Sequence, residues 1–423
     1  MADGVSARPT EVVEHLFRRE SAKLVAVLTR AFGLRHLDLV EDKVQEAMVA
    51  AMQTWPRRGI PANPAGWIHR VARNRVFDAL RRDAVHRRVV AEVAPNRDGV
   101  TTQVDEWLTD EQVPDSLLRM IFVCCHPHLE RGAQLALTLK LLCGFSAAEV
   151  ARGLLISTEA AKKRVQRAKA ALALHQPRLD LPASGELGDR LAAVHTVLYL
   201  LFNEGYSTSS GHLPLRDDMC EEAARLCHLL CEDETFSTPE SRALLALMLA
   251  HSARLAARLD SEGAIVLLAE QDRSRWDRRL MGFAEVWLHR SQTERPSRFH
   301  FEAAISMVHN RAPSVAETDW ALIVRYYDRL VALHPSPLYR LNRAIARGEA
   351  GEVAGALEEV KELGDHRDLR GYHWVHCALG RLYECLGDPA AAVQSYEAAR
   401  AAGSAAPHEK VLLGKRLARL RAR

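Results

Sequence analysis

Apolar residues in the stretch WIHRVARNRVFDALRR, residues 67–82, recur at the spacing of an α-helix. At about 100° per residue, one wide arc of this predicted helix is apolar and should face a core. That arc carries Ile68, Val71, Ala72, Val76, Ala79 and Leu80. The opposite arc carries Trp67, Arg70, Arg73, Asn74, Phe77 and Arg81. Two large aromatic side chains therefore lie among cations on the face that the pattern assigns to solvent.

Exposed rings among guanidinium groups suit single-stranded nucleic acid. Its phosphates attract the cations, and its unstacked bases lie on aromatic faces at about 1–3 kcal/mol per base. Duplex DNA offers no exposed base faces to such a surface. The alternative is that Trp67 and Phe77 pack against a neighbouring helix of the same domain.

Helical spacing also dominates the rest of the chain, and no long tract alternates apolar and polar residues, so we predict an all-α protein. A length of 423 residues allows several domains. Because the net charge is only +3, nucleic-acid binding requires a local basic patch such as residues 57–88. No apolar run suggests a membrane span or a signal peptide, which predicts a cytoplasmic protein whose eight cysteines are reduced.

Prolines, glycines and shifts in charge divide the chain into five predicted segments. A helical block covers residues 10–83, an irregular, acidic linker covers 84–115, and a compact helical unit covers 116–175. The remainder divides into a helical extension at 186–310 and a repeat-containing segment at 311–423.

The last segment contains an internal repeat with a period of about 36 residues. The repeat aligns Ala344 with Gly380, Gly351 with Gly387, Ala356 with Ala392, and Val360 with Tyr396. Small residues where paired helices meet, with rings between them, resemble the tetratricopeptide pattern and predict a short superhelical array. Chance similarity among alanine-rich helices is the alternative.

A second basic segment, SAAEVARGLLISTEAAKKRVQRAKAAL at residues 146–172, predicts a short helix, a tight turn and a basic helix. Ser146 and Ser157 stand where their hydroxyls can cap the two helices. The predicted buried stripe of the second helix is Ala161, Val165, Ala168 and Leu172. Such a helix fits the major groove of duplex DNA, with its cations on phosphates. An ordinary amphipathic helix with a solvated basic face is the alternative.

Upstream of the first basic helix, DLVEDKVQEAMVAAMQTW at residues 38–55 predicts a helix with an acidic start. Its polar residues are Asp38, Glu41, Asp42, Gln45 and Glu46. Carboxylates near a helix amino end interact favourably with the helix dipole, which is one explanation. Docking on a protein partner is the other.

These three segments, in this order, resemble bacterial RNA polymerase sigma factors of the extracytoplasmic-function type, in the branch with a long tetratricopeptide-like extension. EDKVQEA resembles the EDLVQEV helix, which binds the clamp helices of the largest polymerase subunit. WIHRVARNRVFDALRR resembles the segment that melts and contacts the −10 promoter element, and EVARGLLISTEAAKKRVQRAK resembles the segment that enters the −35 major groove. Leu155 departs from the usual turn glycine and Ala160 from a frequent threonine.

The resemblance implies three sets of contact residues. For core RNA polymerase they are Asp38, Glu41, Asp42, Gln45 and Glu46. For the −10 element they are Trp67, Arg70, Arg73, Asn74, Arg75, Phe77, Asp78, Arg81 and Arg82. For the −35 element they are Ser157, Glu159, Ala160, Lys162, Lys163, Arg164, Gln166, Arg167 and Lys169. The linker is then expected near the polymerase active channel and RNA exit path.

The segment NEGYSTSSG, with Asn203, Glu204, Gly205, Tyr206 and Ser207, is a possible regulatory element. It could bind a small anion, contact the sigma domains within the same chain, or be a well-capped helix junction. The cysteine clusters at 124–125 and 220–231 lack the paired spacing of structural zinc sites, so we predict buried thiols and no metal.

We therefore predict a sigma factor whose extension regulates it, with promoter DNA and polymerase as partners, no cofactor and no enzymatic activity. The main alternative is a stand-alone helix-turn-helix regulator with a tetratricopeptide sensor domain, which would not need EDKVQEA. A scaffolding protein whose repeats hold a partner peptide is a third possibility.

Overall fold

The computed structural model describes residues 9–86, 113–154, 156–175, 179–182, 185–206, 215–260, 265–405 and 407–422. In these ranges the chain is all-α, as predicted, and its β pairing is limited to one isolated bridge between Leu259 and Ile265. None of the described helices is long and apolar enough to cross a membrane. The chain divides into two compact units, residues Met1–Val197 and Leu198–Arg423.

Seven α-helices precede residue 176 in the described part of the first unit. They are α1 (Pro9–Phe32), α2 (Leu37–Arg58), α3 (Pro64–His86), α4 (Val113–Cys124), α5 (Arg131–Leu137), α6 (Ala147–Gly153) and α7 (Thr158–His175). A π-helical turn, Thr138–Leu142, extends α5. The boundary between the units lies inside α8 (Leu187–Tyr206), later than the junction expected before residue 186.

Helices α1, α2 and α3 pack together around fully buried aliphatic side chains such as Val27, Val40 and Val76. The predicted apolar stripe of α3 contributes to this core, since Ile68, Ala72 and Val76 are buried. Helix α3 extends to His86, three residues into the predicted linker at 84–115. Helix α4 begins at Val113, before the predicted end of that linker. The rest of that linker, 87–112, lies outside the described residues.

Helices α6 and α7 have the predicted caps. Ser146 and Glu149 form a reciprocal capping box at the start of α6. The Ser157 hydroxyl accepts a hydrogen bond of 3.1 Å from the Ala160 amide at the start of α7. The departure at Leu155 lies outside the described residues.

Ten further α-helices follow in the described part of the second unit. They are α9 (Asp217–Glu232), α10 (Pro239–Ser252), α11 (Arg278–Arg290), α12 (Arg298–Arg311), α13 (Trp320–Leu333), α14 (Pro337–Glu349), α15 (Val353–Gly364), α16 (His373–Cys385), α17 (Pro389–Ala401) and α18 (Pro407–Arg421). Each of the helices from α13 to α18 packs against the next one along the chain.

The internal repeat corresponds to two equivalent helix pairs, α14 with α15 and α16 with α17. Gly351 and Gly387 occupy the turns of the two pairs, with φ of 100° and 73°, a region that favours glycine. Ala356, Ala392 and Val360 are fully buried, and Tyr396 is 5% exposed. The spacing of the repeat is therefore a structural period, while the tetratricopeptide assignment stays a prediction.

Candidate nucleic-acid and polymerase interface

The ring of Phe77 is buried, so its predicted exposure among the cations of α3 is wrong. The residue is 8% exposed, and its ring meets Phe32 edge-on with centroids 5.1 Å apart. Phe32 ends α1, which packs beside α3 on the side that the helical pattern assigns to solvent. Burial of the apolar Phe77 ring against α1 is favourable, and this explains why the ring does not face solvent.

Trp67 lies at the start of α3 and is half-buried. Its ring packs at a steep angle against Trp55 of α2, with centroids 5.8 Å apart. One part of the indole thus contributes to the packing of the two helices. The other part meets solvent.

The polar residues predicted for the −10 element are unequally exposed. Those that are exposed are Arg70, Asp78, Arg81 and Arg82, whereas Arg73, Asn74 and Arg75 are half-buried. Arg75 Nη1 lies 3.1 Å from Glu46 Oε2 and links α3 to the acidic helix. The exposed guanidinium groups of α3 therefore lie at the positions 70, 81 and 82.

The acidic helix α2 presents a groove of about 410 Å³ that combines carboxylates with apolar side chains. Asp42, Gln45 and Glu46 line it and are exposed. Val49 also lines the groove and is 45% exposed, and the nearby Met52 is 57% exposed. An exposed surface of this mixed character is typical of a protein-docking site.

Glu41 does not belong to this open surface, contrary to the prediction that groups it with the other polymerase contacts. It is 7% exposed. Its two carboxylate oxygens lie 2.9 Å from Lys140 Nζ and 2.5 Å from Lys169 Nζ. Lys169 also lies 2.7 Å from the exposed Asp38. The residues 116–175 therefore cover the amino-terminal part of α2.

Helix α7 has the predicted buried stripe, since Ala161, Val165, Ala168 and Leu172 are all buried. Of the residues predicted to contact the −35 element, those that are exposed are Ser157, Glu159, Lys162, Lys163, Gln166 and Arg167. Ala160 and Arg164 are half-buried, with the Arg164 guanidinium close to Gly132. Lys169 faces α2 and is not exposed for DNA, because Glu41 and Asp38 hold its ammonium group.

Besides the contacts of Lys140 and Lys169 with α2, a second set of contacts joins the first three helices to residues 113–175. Arg30 Nη1 of α1 lies 2.7 Å from Asp115 Oδ2 and donates a hydrogen bond to the Ser116 hydroxyl of α4. Asp115 also pairs with Arg119. Sequence reasoning missed these contacts, since Arg30, Asp115 and Lys140 lie in no motif and their partners are distant in the chain.

Sequence comparison relates these two parts to known proteins. The family model for sigma-70 region 2 matches residues 16–85, which include most of the described helices α1 to α3. The model for sigma-70 region 4 matches residues 119–172, which include α6 and most of α7. The chain belongs to the sigma-70 family.

This sigma-70 protein also matches, at residues 190–292, a family of unknown function, DUF6596. An uncharacterized protein of Rhizobium meliloti (strain 1021) is 37% identical to it over 371 residues. The alignment covers 86% of this chain and 87% of that relative, so the similarity extends beyond the two sigma regions. No solved structure matches the chain significantly. Sigma-70 regions 2 and 4 support a role in promoter recognition, with RNA polymerase and promoter DNA as partners.

In the extension of this sigma-70 protein, NEGY forms the end of α8. A Cβ on Gly205 would lie 2.8 Å from the Arg216 carbonyl oxygen and from Met219 Cβ, so the close approach of α9 requires glycine there. Asn203 is exposed, Glu204 is half-buried, and the Tyr206 ring lies edge-on to His251 at 4.7 Å. Ser207 and the rest of STSSG lie outside the described residues.

The five cysteines of the two clusters in the sigma-70 protein are buried as predicted, namely Cys124, Cys125, Cys220, Cys227 and Cys231, and Cys143 is buried as well. Burial raises the pKa of Cys125 to about 12, so this thiol stays protonated near neutral pH. Cys377 is half-buried and Cys385 is exposed. In the described ranges, no cluster of three or more histidine, cysteine or acidic side chains has the arrangement of a metal site.

Proposed function

We propose that the chain is an extracytoplasmic-function sigma factor that binds core RNA polymerase through α2 and directs it to promoters. The observation that carries this proposal is the groove of Asp42, Gln45, Glu46 and Val49, which is exposed although it contains apolar surface. A stand-alone DNA-binding regulator has no use for such a surface beside its basic helix. The clamp helices of the largest polymerase subunit are the proposed occupant.

In this proposal the exposed cations of α3 hold the opened strand at the −10 element, with the outer part of Trp67 as a stacking surface. The amino-terminal half of α7 enters the −35 major groove, where Lys162, Lys163 and Arg167 contact phosphates. Catalysis resides in the polymerase, so no side chain of this protein needs to break or form a bond.

Full engagement of α2 by the polymerase requires the two sigma regions to separate. Glu41 and Asp38 are occupied by Lys140 and Lys169, and the same contacts hold α7 against α2. We propose that the arrangement of the first unit is a closed state and that polymerase binding replaces these ion pairs. The extension, with its tetratricopeptide-like helix pairs, is proposed to regulate this step through contacts within the chain.

Binding to core polymerase and run-off transcription test the proposal with the full chain. We expect Asp42→Arg to reduce binding at least tenfold, because it reverses a charge in the exposed groove. Glu234→Arg is the matched control, since it reverses an exposed carboxylate in the second unit and should leave binding unchanged. Failure of the wild-type chain to bind polymerase while it still binds duplex DNA would favour the stand-alone regulator.

A further inference from the structure

Arg254, in the second unit, is a buried guanidinium without an anionic partner. It follows α10 and is 4% exposed. Its Nη2 lies 2.8 Å from His251 Nδ1 and 3.4 Å from the Ser306 hydroxyl, and Tyr206 also interacts with its charge. Its Nε has no hydrogen-bond partner among the described residues. Histidine, serine and tyrosine are neutral partners for a charge that burial strongly disfavours.

Two more arginines lie close to Arg254, and the three together are called the guanidinium cluster. Arg258 Cζ lies 3.8 Å from the centroid of the Tyr206 ring. Arg273 Cζ lies 4.6 Å from the centroid of the Trp276 ring, which Arg254 also approaches at 6.0 Å. Rings therefore provide part of the stabilisation that these cations need.

The donors of the guanidinium cluster outnumber its acceptors. Arg273 Nη1 donates to the carbonyl oxygens of His309 and Ala312, both at 2.6 Å. Three other buried groups have no hydrogen-bond partner in the described part of the chain: Arg258 Nε, Arg273 Nη2 and Trp276 Nε1. Native proteins rarely leave several neighbouring buried donors unpaired, so the guanidinium cluster has hydrogen-bonding capacity that its own acceptors do not use.

The electrostatics of the guanidinium cluster lead to the same conclusion. None of its arginines forms an ion pair with a carboxylate of the described residues. Burial and the neighbouring Arg254 and Arg273 lower the pKa of His309 to about 3, and similar causes hold the pKa of His251 well below its usual value. Both imidazoles are therefore neutral. Glu317 attracts Arg273 from a distance, and it is a single negative charge beside three guanidinium groups.

A cavity of about 330 Å³ reaches the guanidinium cluster, because Arg273 and His309 form part of its wall. Much of the remaining wall is aromatic or aliphatic and includes Trp320, Trp374 and Ile345. The wall also contains Glu270, Glu349 and Glu409, of which Glu270 pairs with Arg416 and Glu409 lies 3.2 Å from His373. Its other two arginines are already paired: Arg381 with Glu349 at 2.6 Å, and Arg416 with Glu384 at 2.6 Å. Of the three arginines in the described wall, Arg273 is thus the one without an ion pair to a described carboxylate, and Glu317 acts on it only by longer-range attraction. The volume is within the range of small-molecule sites.

We propose that this cavity binds a small organic anion whose oxyanion group accepts hydrogen bonds at Arg273 and whose ring-bearing apolar body lies against Trp320 and Trp374. Planar guanidinium groups pair favourably with carboxylates and phosphates, which share this chemistry. The inference concerns the second unit alone and does not depend on the proposed sigma function.

Calorimetric titration of the full chain with naphthoate, with its neutral analogue naphthamide and with inorganic phosphate tests the proposal. We expect naphthoate to bind at least tenfold more tightly than either of the others. Arg273→Gln should remove this preference, whereas Arg273→Lys should keep most of it. Arg279→Gln is the matched control, because Arg279 is exposed on α11 and does not line the cavity.

Thermal unfolding shows whether each variant is folded, and Ile345→Phe provides a second variant that fills the cavity without altering charge. We expect it to weaken naphthoate binding at least tenfold. The proposal is overturned if naphthoate does not bind at millimolar concentration, or if naphthamide binds equally well. If phosphate binds as tightly as naphthoate, the proposed contact of an apolar body with Trp320 and Trp374 is wrong. If Arg279→Gln weakens naphthoate binding as much as Arg273→Gln does, the assignment of the anion to Arg273 is wrong.

Discussion

At the scale of single residues, the Phe77 ring packs edge-on against Phe32 and is almost removed from solvent. Truncation to alanine deletes these contacts and leaves a cavity between α1 and α3. We expect Phe77→Ala to lower the free energy of unfolding by about 3–5 kcal/mol, the usual cost for a buried phenylalanine. Urea-induced unfolding of the full chain, followed by far-ultraviolet circular dichroism, measures this change.

Arg70→Ala is the control for Phe77→Ala on the same helix. Its side chain is exposed, so the free energy of unfolding should change by less than about 0.5 kcal/mol. A role of Phe77 in binding bases would give the opposite pattern. In that case Phe77→Ala would keep its stability and lose affinity for a single-stranded −10 segment.

The apolar stripe of α3 could be predicted from sequence, because Ile68, Ala72 and Val76 bury themselves along one arc. The burial of Phe77 could not. A helical pattern assigns one buried side to each helix, whereas α3 packs against both α2 and α1. Trp67 is less exposed than the pattern predicts for the same reason, because Trp55 of α2 packs against it.

At the scale of elements, Lys169 joins α7 to α2 through Glu41 and Asp38. We expect Lys169→Glu to separate the two helices, since it adds a third carboxylate to this junction. Loss of one partner of a buried ion pair costs about 3–5 kcal/mol. Hydrogen exchange measured by mass spectrometry should become faster in peptides from Leu37–Arg58 and Thr158–His175.

Lys162→Glu is the control for this junction, because Lys162 is an exposed lysine of the same helix. It should leave the exchange of α2 unchanged. The double variant Lys169→Glu with Glu41→Lys restores an opposite-charge pair and should recover part of the protection. Unchanged exchange in the single variant would mean that the junction does not hold the regions together.

The capped helices α6 and α7 could be predicted, since Ser146, Ser157 and the stripe from Ala161 to Leu172 act within a few residues of each other. The junction with α2 could not be predicted. Lys169 and Lys162 have the same chemistry and lie in one basic helix, and the contact that distinguishes them joins residues 128 positions apart. Sequence spacing contains no information on such a contact.

At the scale of the whole molecule, the net charge of +3 gives no general attraction to DNA, so binding depends on local cations. Lys162, Lys163 and Arg167 are exposed on α7, whereas Lys169 is paired with carboxylates. Each phosphate contact contributes about 0.9 to the slope of log affinity against log salt. Fluorescence anisotropy measures the affinity for duplex DNA at several salt concentrations and so gives this slope. A duplex of arbitrary sequence can be used, because the phosphate contribution does not depend on base sequence.

We expect the double variant Lys162→Ala with Lys163→Ala to reduce the magnitude of that slope by about 2, since two phosphate contacts are lost. Lys410→Ala removes an exposed lysine from α18 and should leave the slope unchanged, although it lowers the net charge. A whole-molecule attraction would instead make every lysine equivalent. Equal slopes for the double variant and the wild-type chain would therefore remove α7 from the DNA interface.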